Sequence, residues 1–278
     1  MSNGRSACGT EGRPGGFGHP RLVRFSREIS VPTLIGFAVP FDFPAAYEAL
    51  NPDDADYCFY DDLARRLSAR QAVDLGCGTG TVAVLLARGG RQVIGTDPDP
   101  EMLLDRGRGR RKGNVLVTWR QGYADAMPAA WADLVTMSGH VSQVFLTDEQ
   151  CWPTCSRSSS RPPSGSFAFE MRNPSARAWK RWTRDQTLRV VDTDQGSVEF
   201  WHETTSVNLP LVTYATTDHN TRTGCSATTL ETLVFRDETG LRTRLTDAGF
   251  TVREMYGDWH QGPVRPNGPE LIVVARKV

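Results

Sequence analysis

Three glycines alternate along the segment Asp74-Leu75-Gly76-Cys77-Gly78-Thr79-Gly80. Residues without a Cβ atom let the chain turn tightly and let a ligand lie directly against the main chain. When such a turn joins a strand to a helix, the backbone N–H groups at the helix N-terminus suit a nucleotide-like ligand. Residues 76–80, the glycine loop, are therefore the first candidate for a binding site.

The chemistry of the ligand follows from the residues around this loop. Asp97 ends the next predicted strand, where a carboxylate can accept hydrogen bonds from both hydroxyls of a ribose. A dinucleotide fingerprint, Gly-x-Gly-x-x-Gly, is not met, because Thr81 occupies the position of its third glycine. Asp74 lies just before the loop, and its charge favours an ammonium or a sulfonium over a pyrophosphate. The residues thus favour a nucleoside that carries positive charge.

The elements that would position these residues alternate between strand and helix. Hydrophobic periodicity predicts two helices within 43–67, strands at 72–75, 92–96, 115–119, 132–137 and 166–171, and helices at 81–88 and 100–107. Such alternation is typical of a parallel sheet. In these sheets ligands bind at the carboxyl ends of the strands, which is where the glycine loop and Asp97 would lie.

The pattern changes after residue 172 and returns near the end of the chain. Short β-rich runs at 188–192, 197–205, 211–217 and 228–235 are separated by turn signals and predict an inserted antiparallel sheet. A helix at 241–248 and strands at 250–256 and 270–276 then complete the core. The predicted fold is α/β, a Rossmann-like, doubly wound, mostly parallel seven-stranded sheet with an inserted antiparallel β subdomain.

These patterns divide the chain into four parts. Residues 1–42, rich in Gly, Arg, Ser and Pro, are predicted to be a disordered leader. Residues 43–174 and 237–278 form the core, and 175–236 form a cap over the substrate. Between the fourth and fifth strands, segment 151–165 contains three prolines and a serine run where a crossover helix is expected. We interpret it as a reading-frame disturbance, a decayed helix or a tolerated variant.

Three segments of the chain resemble the class I S-adenosylmethionine-dependent methyltransferases. They are Val73-Asp74-Leu75-Gly76-Cys77-Gly78-Thr79-Gly80, Asp97-Pro98-Asp99-Pro100-Glu101-Met102-Leu103 and Gly122-Tyr123-Ala124-Asp125-Ala126. The resemblance implies S-adenosyl-L-methionine as the cofactor. It also implies that Gly76, Gly78 and Gly80 lie by the methionine part of the cofactor, Asp97 by its ribose, and Asp125 with Ala126 by its adenine. Asp74, whose charge favours a cationic ligand, is the seventh residue predicted to bind the cofactor.

The acceptor side of the site is less defined by the sequence. His140 follows the fourth strand and is the candidate general base if the acceptor is a hydroxyl or a protonated amine. It could equally close the strand or line the pocket. Tyr47, Trp201 and Tyr214 are candidate substrate-binding residues, because aromatic side chains of the first helix and the cap can cover a small substrate. The alternative is that these aromatics only pack the cap.

Composition excludes several partner classes. The charges of the 32 basic and 32 acidic residues cancel, so the chain lacks the net positive charge expected of a nucleic-acid-binding protein. No apolar run approaches the roughly 20 residues of a membrane helix. Six scattered cysteines without a secretory signal favour the cytoplasm, and no ligand spacing suggests a metal site.

The predicted function is methyl transfer to a small molecule. One alternative is a catalytically idle cofactor-binding protein. The other is a nicotinamide-dependent oxidoreductase, which Thr81 disfavours because a dinucleotide fingerprint needs glycine there. The oligomeric state stays open.

Overall fold

The computed structural model of the protein describes residues 42–51, 55–104, 117–128, 130–148 and 165–278. Almost all of the predicted leader at 1–42 therefore lies outside the described residues. The same holds for the proline-rich segment at 151–165 and for the end of the helix predicted at 100–107. The proposed domain boundaries stay predictions.

The described elements follow the predicted order. The helices are α1 (Phe43–Leu50), α2 (Ala55–Arg66), α3 (Thr81–Arg88), α4 (Pro100–Leu104), α5 (Arg184–Thr187) and α6 (Glu238–Asp247). The strands are β1 (Gln71–Leu75), β2 (Gln92–Asp97), β3 (Val117–Gln121), β4 (Leu134–Met137), β5 (Ser166–Arg172), β6 (Arg189–Thr193), β7 (Gly196–Asn208), β8 (Leu211–Asn220), β9 (Ser226–Val234), β10 (Phe250–Tyr256) and β11 (Glu270–Lys277). Short 3₁₀ turns cover Ala124–Ala126, Val141–Gln143, Pro174–Ala176 and Ala178–Arg181.

The main sheet has seven strands in the order β10-β11-β5-β4-β1-β2-β3. The pairs β1–β2, β2–β3, β1–β4 and β4–β5 are parallel, whereas β11 runs antiparallel to both of its neighbours. The strand order reverses at β1, from which the chain proceeds to β2 on one side and β4 on the other. Ligands of open α/β sheets bind outside such a switch point.

Both faces of the sheet are buried, which explains the nearly continuous apolar strands. Phe167, Phe169 and Met171 of β5 point to one face, where they form a cluster with α6. Ala168 points to the other face, which α2 and α3 cover. Glu170 follows the alternation of β5 onto this second face, although it is fully buried.

The second sheet is antiparallel and has the order β6-β7-β8-β9. Alternate residues of β8 are buried, so one face of this inserted sheet is turned inward. That face packs against α1 through a cluster that includes Phe43, Val198 and Phe200. A second cluster joins it to the 3₁₀ turns through Trp179 and Trp182. The predicted fold class is confirmed in both of its parts.

One shift from the predicted boundaries is at the edge of the main sheet. The pattern predicts a strand at 115–119, of which residues 115 and 116 lie outside the described part. The observed β3 continues to Gln121 because its backbone pairs with β2 up to Asp97. Three of its five residues are exposed, so main-chain pairing rather than hydrophobicity determines where this edge strand ends.

Candidate cofactor and acceptor site

The glycine loop has a backbone that favours glycine at three alternating positions. Gly76, Gly78 and Gly80 have φ angles of +72°, +53° and +90°, which side chains disfavour. The peptide N–H groups of Gly76 and Cys77 both donate to the carbonyl of Thr96, at 2.8 and 2.9 Å. The loop therefore turns back over the end of β2 as soon as it leaves β1.

Close packing adds a second reason for glycine in the loop. A Cβ atom at Gly80 would lie 2.2 Å from Cη2 of Trp119, and one at Gly76 would lie 2.7 Å from Cγ1 of Val141. Real Cβ atoms do not approach other heavy atoms so closely. The loop is thus held between β3 and the turn after β4, with its main chain available to a ligand.

Asp97 binds the glycine loop from the end of β2. Its Oδ2 accepts the N–H of Gly78 at 2.8 Å, and its Oδ1 accepts the N–H of Asp99 at 2.9 Å. Burial raises the pKa of Asp97 to about 6, although these two hydrogen bonds partly oppose the rise. Each carboxylate oxygen can accept a further hydrogen bond, as a ribose hydroxyl would require.

Asp74 lies on β1, immediately before the loop, and is fully buried. Its Oδ1 accepts the hydroxyl of Thr136 at 3.0 Å. Burial raises the pKa of Asp74 to about 7, and the hydrogen bond from Thr136 offsets part of this rise. The carboxyl group is therefore close to its titration point near neutral pH.

Three buried polar atoms around the loop have no hydrogen-bond partner among the described residues. They are Oδ2 of Asp74 and the hydroxyl oxygens of Thr79 and Thr81. Such atoms are rare in folded proteins and require an explanation. Polar atoms of a ligand bound at the loop would supply the missing partners.

The turn Ala124–Ala126 brings Asp125 and Ala126 to the same edge of the sheet as Asp97. The N–H of Gly122 donates to the carbonyl of Asp97 at 3.0 Å, and the Thr96 hydroxyl donates to the carbonyl of Gly122 at 2.8 Å. The side chain of Asp125 is exposed. The seven residues predicted to bind the cofactor thus lie at or just beyond the carboxyl ends of three neighbouring strands.

His140 lies beyond the end of β4 and has a left-handed backbone with φ +63°. Its peptide N–H donates to Oε1 of Glu170 at 2.6 Å, and its Nε2 contacts Oε2 of Glu270 at 2.9 Å. A non-glycine residue in this region of φ/ψ is strained and is held there by its surroundings. His140 is therefore fixed by carboxylates from two other strands.

Tyr60, Glu170 and Glu270 were missed as site residues by sequence reasoning. The Tyr60 hydroxyl donates to Oε2 of Glu170, and burial raises the pKa of Glu170, although the charge of His140 opposes this. The signal in the sequence was a single acid inside the apolar run Phe167-Ala168-Phe169-Glu170-Met171. A lone charge in a buried strand is informative, since such groups are almost never buried unpaired.

Of the three predicted substrate-binding residues, Tyr47 belongs to a cluster that reaches the glycine loop. It packs with Met102 of α4 and Phe200 of the inserted sheet. Cε of Met102 would lie 3.3 Å from a Cβ atom placed on Gly78, so this cluster reaches the glycine loop. α1 and the inserted sheet thus contribute to a roof beside the cofactor site.

Tyr214 and Trp201 lie on opposite faces of the inserted sheet. Tyr214 is 1% exposed, its ring centroid is 5.0 Å from that of Trp182, and its hydroxyl donates to Glu231. Trp201 projects from the other face, where it donates to Glu203 at 2.9 Å and contacts the guanidinium of Arg184. Side chains alternate between the faces of a strand, so the structure does not bring Trp201 to the inward face.

The described residues contain no group of three or more His, Cys, Asp or Glu side chains that could hold a metal ion. Within the same residues, no helix is long and apolar enough to cross a membrane.

Comparison with known proteins identifies the part of the chain that builds this site. A family described as "Methyltransferase domain" matches residues 72–158, which include the glycine loop, Asp97, Asp125 and His140. Residues 72–158 therefore belong to a methyltransferase domain. The predicted family and its cofactor, S-adenosyl-L-methionine, are confirmed.

One curated relative supports the same assignment over a shorter stretch. The chain is 39% identical over 77 residues to a ubiquinone/menaquinone biosynthesis C-methyltransferase from Rubrivivax gelatinosus. This match covers 26% of the chain and only 30% of that relative. The activity of the whole relative is therefore not transferred to this methyltransferase.

Solved structures match the fold over most of the chain. The CcbJ methyltransferase from Streptomyces caelestis has a TM-score of 0.69 at 17% identity, over 85% of this chain and 96% of that one. CalS10, an amino pentose methyltransferase from Micromonospora echinaspora solved with S-adenosylmethionine bound, has a TM-score of 0.61 at 18% identity, covering 85% and 96%. The sugar N-methyltransferase KedS8 from a Streptoalloteichus species has a TM-score of 0.65 at 14% identity, covering 91% and 100%. At these identities the likeness shows the fold.

Proposed function

We propose that this protein transfers a methyl group from S-adenosylmethionine to an amine nitrogen of a small molecule. The observation that carries the proposal is the glycine loop with its buried, partly unsatisfied polar groups, next to a histidine held by two carboxylates. The first feature suits the cofactor, and the second suits a cationic acceptor.

The residues present fit the cofactor. Asp97 would accept hydrogen bonds from the ribose hydroxyls, and the turn with Asp125 and Ala126 would border the adenine. Asp74 and the hydroxyl of Thr79 would lie by the methionine part, where the partnerless oxygens require polar atoms. The buried carboxylate of Asp74 favours the positive charge of an ammonium or a sulfonium.

Methyl transfer requires little acid–base chemistry from the residues that would bind the cofactor. When bound, S-adenosylmethionine supplies a methyl carbon on a positively charged sulfur, which leaves as a neutral thioether. The chain's own residues then have to bind, orient and shield the reactants. α1, α4 and the inserted sheet provide a roof that can exclude water, and His140 lies where an acceptor proton could be received.

An amine acceptor is favoured by the charges around His140. Glu170 and Glu270 both lie within hydrogen-bond distance of this residue, and both are buried. Buried carboxylates attract a protonated amine and disfavour an anionic acceptor. Two of the structures that share this fold are described as an amino pentose methyltransferase and a sugar N-methyltransferase, which agrees with this class of acceptor.

The proposal is tested by binding and by transfer. Calorimetric titration of the full chain with S-adenosylmethionine, S-adenosylhomocysteine and NAD should show that the first two bind and that NAD does not. Methyl-labelled cofactor is then incubated with a panel of amino sugars, simple amines, phenols and quinols. We expect label in amines only.

Other results would favour other functions. Cofactor binding without transfer to any acceptor supports the catalytically idle alternative, which the unusual composition of segment 151–165 motivates. Label in phenols or in a ring carbon overturns the amine class while leaving methyl transfer intact. Binding of NAD alone would overturn both the proposed methyl transfer and the catalytically idle alternative.

A further inference from the structure

Glu270 is the group that contacts the imidazole of His140, and it comes from the far end of the chain. We propose that Glu270 is a positioning residue for methyl transfer, which acts by holding the ring and the protonation state of His140. This inference rests on the proposed function, because it assigns a role within the same site.

The geometry separates the ring of His140 from its backbone. Nε2 of the ring lies 2.9 Å from Oε2 of Glu270, and the two side chains are 8% and 4% exposed. The peptide N–H is held instead by Glu170, whose backbone carbonyl also accepts the Ser142 hydroxyl at 2.5 Å. Glu170 therefore fixes the turn and acts on His140 through its charge, whereas Glu270 contacts the imidazole itself.

The backbone around His140 has little freedom to replace this contact. Gly139 and His140 both have positive φ angles, +76° and +63°. Two successive left-handed residues make a tight turn that directs the side chain of His140 toward β11. The first residue of β11 is Glu270, opposite Arg172 in the strand pairing. No local sequence pattern shows this pair, because its members are 130 positions apart.

A carboxylate at one ring nitrogen determines the chemistry of the other. When the ring is neutral, Glu270 keeps the proton on Nε2, so Nδ1 is the basic atom. When the ring is protonated, the same carboxylate stabilises the imidazolium. Other titratable or charged groups surround this pair: Glu170 from β5 bonds the peptide N–H of His140, Arg172 from β5 lies opposite Glu270, Tyr60 from α2 bonds Glu170, and the buried Asp56 from α2 acts on Glu170 through its charge.

The proton balance of the step follows from this arrangement. The acceptor ammonium gives one proton to Nδ1 of His140, which becomes an imidazolium beside Glu270. The freed lone pair forms the new N–C bond while the C–S bond breaks and sulfur keeps the electron pair. The methylated ammonium leaves, and His140 returns its proton to solvent.

Nitrogen NMR of the full chain, labelled at histidine, tests the proposal without turnover. The His140 signals are assigned by their loss in His140→Gln. In the wild type we expect the neutral ring to carry its proton on Nε2. In Glu270→Gln the titration midpoint of His140 should fall by about one to three pH units, because an opposite charge is removed.

Glu254→Gln is the matched control. Glu254 lies on β10, pairs with Arg66 and is outside the site, so the His140 titration should not move. In parallel, the acidic limb of the pH profile of kcat should shift downward in Glu270→Gln only. Affinity for S-adenosylmethionine should change by less than about twofold, since Glu270 is not placed by the glycine loop.

Each outcome decides the proposal. It is overturned by an unchanged His140 midpoint in Glu270→Gln, or by a moved midpoint with an unmoved kcat profile. If Glu270→Gln does not fold, the wild-type spectrum still decides, because a neutral His140 protonated on Nδ1 contradicts the assignment. Failure to bind S-adenosylmethionine would instead overturn the proposed function, and the nitrogen spectra would remain readable.

Discussion

The cofactor half and the acceptor half of the site differ in how their residues are distributed along the chain. The proposed cofactor half, at the ends of β1, β2 and β3, would bind mainly through backbone shape and the carboxylates of Asp74 and Asp97, most of it within one strand–helix–strand unit. The acceptor half, formed by β4, β5, β11 and the inserted sheet, consists of side chains brought together from distant positions. His140 is 30 residues from Glu170 and 130 from Glu270.

This difference has a physical origin. Every S-adenosylmethionine molecule has the same shape, so a compact local loop can serve it. Acceptors vary, and side chains on separate strands with an inserted cap can be changed without altering the loop. Changes in the cofactor half should therefore act through the backbone, and changes in the acceptor half through individual side chains.

The largest effect is expected from a methyl group on the glycine loop. Gly80→Ala should lower the free energy of unfolding by about 3 kcal/mol or more, because the new Cβ collides with Trp119. Gly90→Ala is a matched control, since Gly90 has a similar φ of +81° but no atom within 4 Å of a new Cβ. It should cost about 1 kcal/mol. Urea unfolding measures both, and equal losses would show that Trp119 does not constrain the loop.

The ribose contact should have the next largest effect. Asp97→Asn should weaken S-adenosylmethionine binding by about 1.5 to 3 kcal/mol, or tenfold to a hundredfold, because hydrogen bonds to a charged group are lost. Asp99→Asn, whose carboxylate caps the N–H of Glu101 at 2.8 Å, serves as the control. Calorimetry that gives equal affinities for the wild type and Asp97→Asn would remove Asp97 from the cofactor half.

The pH dependence of binding sharpens the role of the two buried acids. Because the folded-state pKa values of Asp97 and Asp74 are about 6 and about 7, both carboxyls take up protons more readily than in the unfolded chain. In the ligand-free protein they stabilise the fold at acid pH, and this contribution is lost as the pH rises through 6 to 7.

A cationic ligand reverses this preference, because it binds the ionised carboxylates more tightly. Affinity for S-adenosylmethionine should therefore rise by about tenfold between about pH 5.5 and pH 7.5. Asp74→Asn should remove the part of this rise nearest to neutral pH and retain the rest. Calorimetry across this range would contradict the assignment if the slope were flat in the wild type.

The smallest effect is expected on the outward face of the inserted sheet. Trp201→Ala should change the acceptor KM and the cofactor affinity by less than about twofold, because Trp201 contacts Arg184 and Glu203 rather than the inward face. Steady-state kinetics with the amine identified by label transfer measures this. A KM raised tenfold would place Trp201 in the acceptor site, in conflict with the strand alternation.

Much of the fold was readable from the sequence because its signals are local. The strand–loop–helix from Gln71 to Arg88, the strand ending at Asp97 and the β-rich insertion were each predicted within a few residues. The end of β3 lies at Gln121 rather than at the predicted residue 119, since pairing with β2 extends an exposed edge strand beyond its apolar residues. The sequence did not show that Trp201 lies on the outward face of the inserted sheet, because the face of each aromatic depends on the strand register.

The sequence by itself determined the cofactor half of this methyltransferase. Gly76, Gly78, Gly80, Asp74 and Asp97 lie within one short stretch, and local pairing of β1 with β2 is enough to bring them together. Only the tertiary structure decided the surroundings of His140. The carboxyl ends of the parallel strands β4 and β5 and the first residue of the antiparallel strand β11 lie at one edge of the sheet, so Glu170 and Glu270 meet His140 through strand order, which no local pattern records.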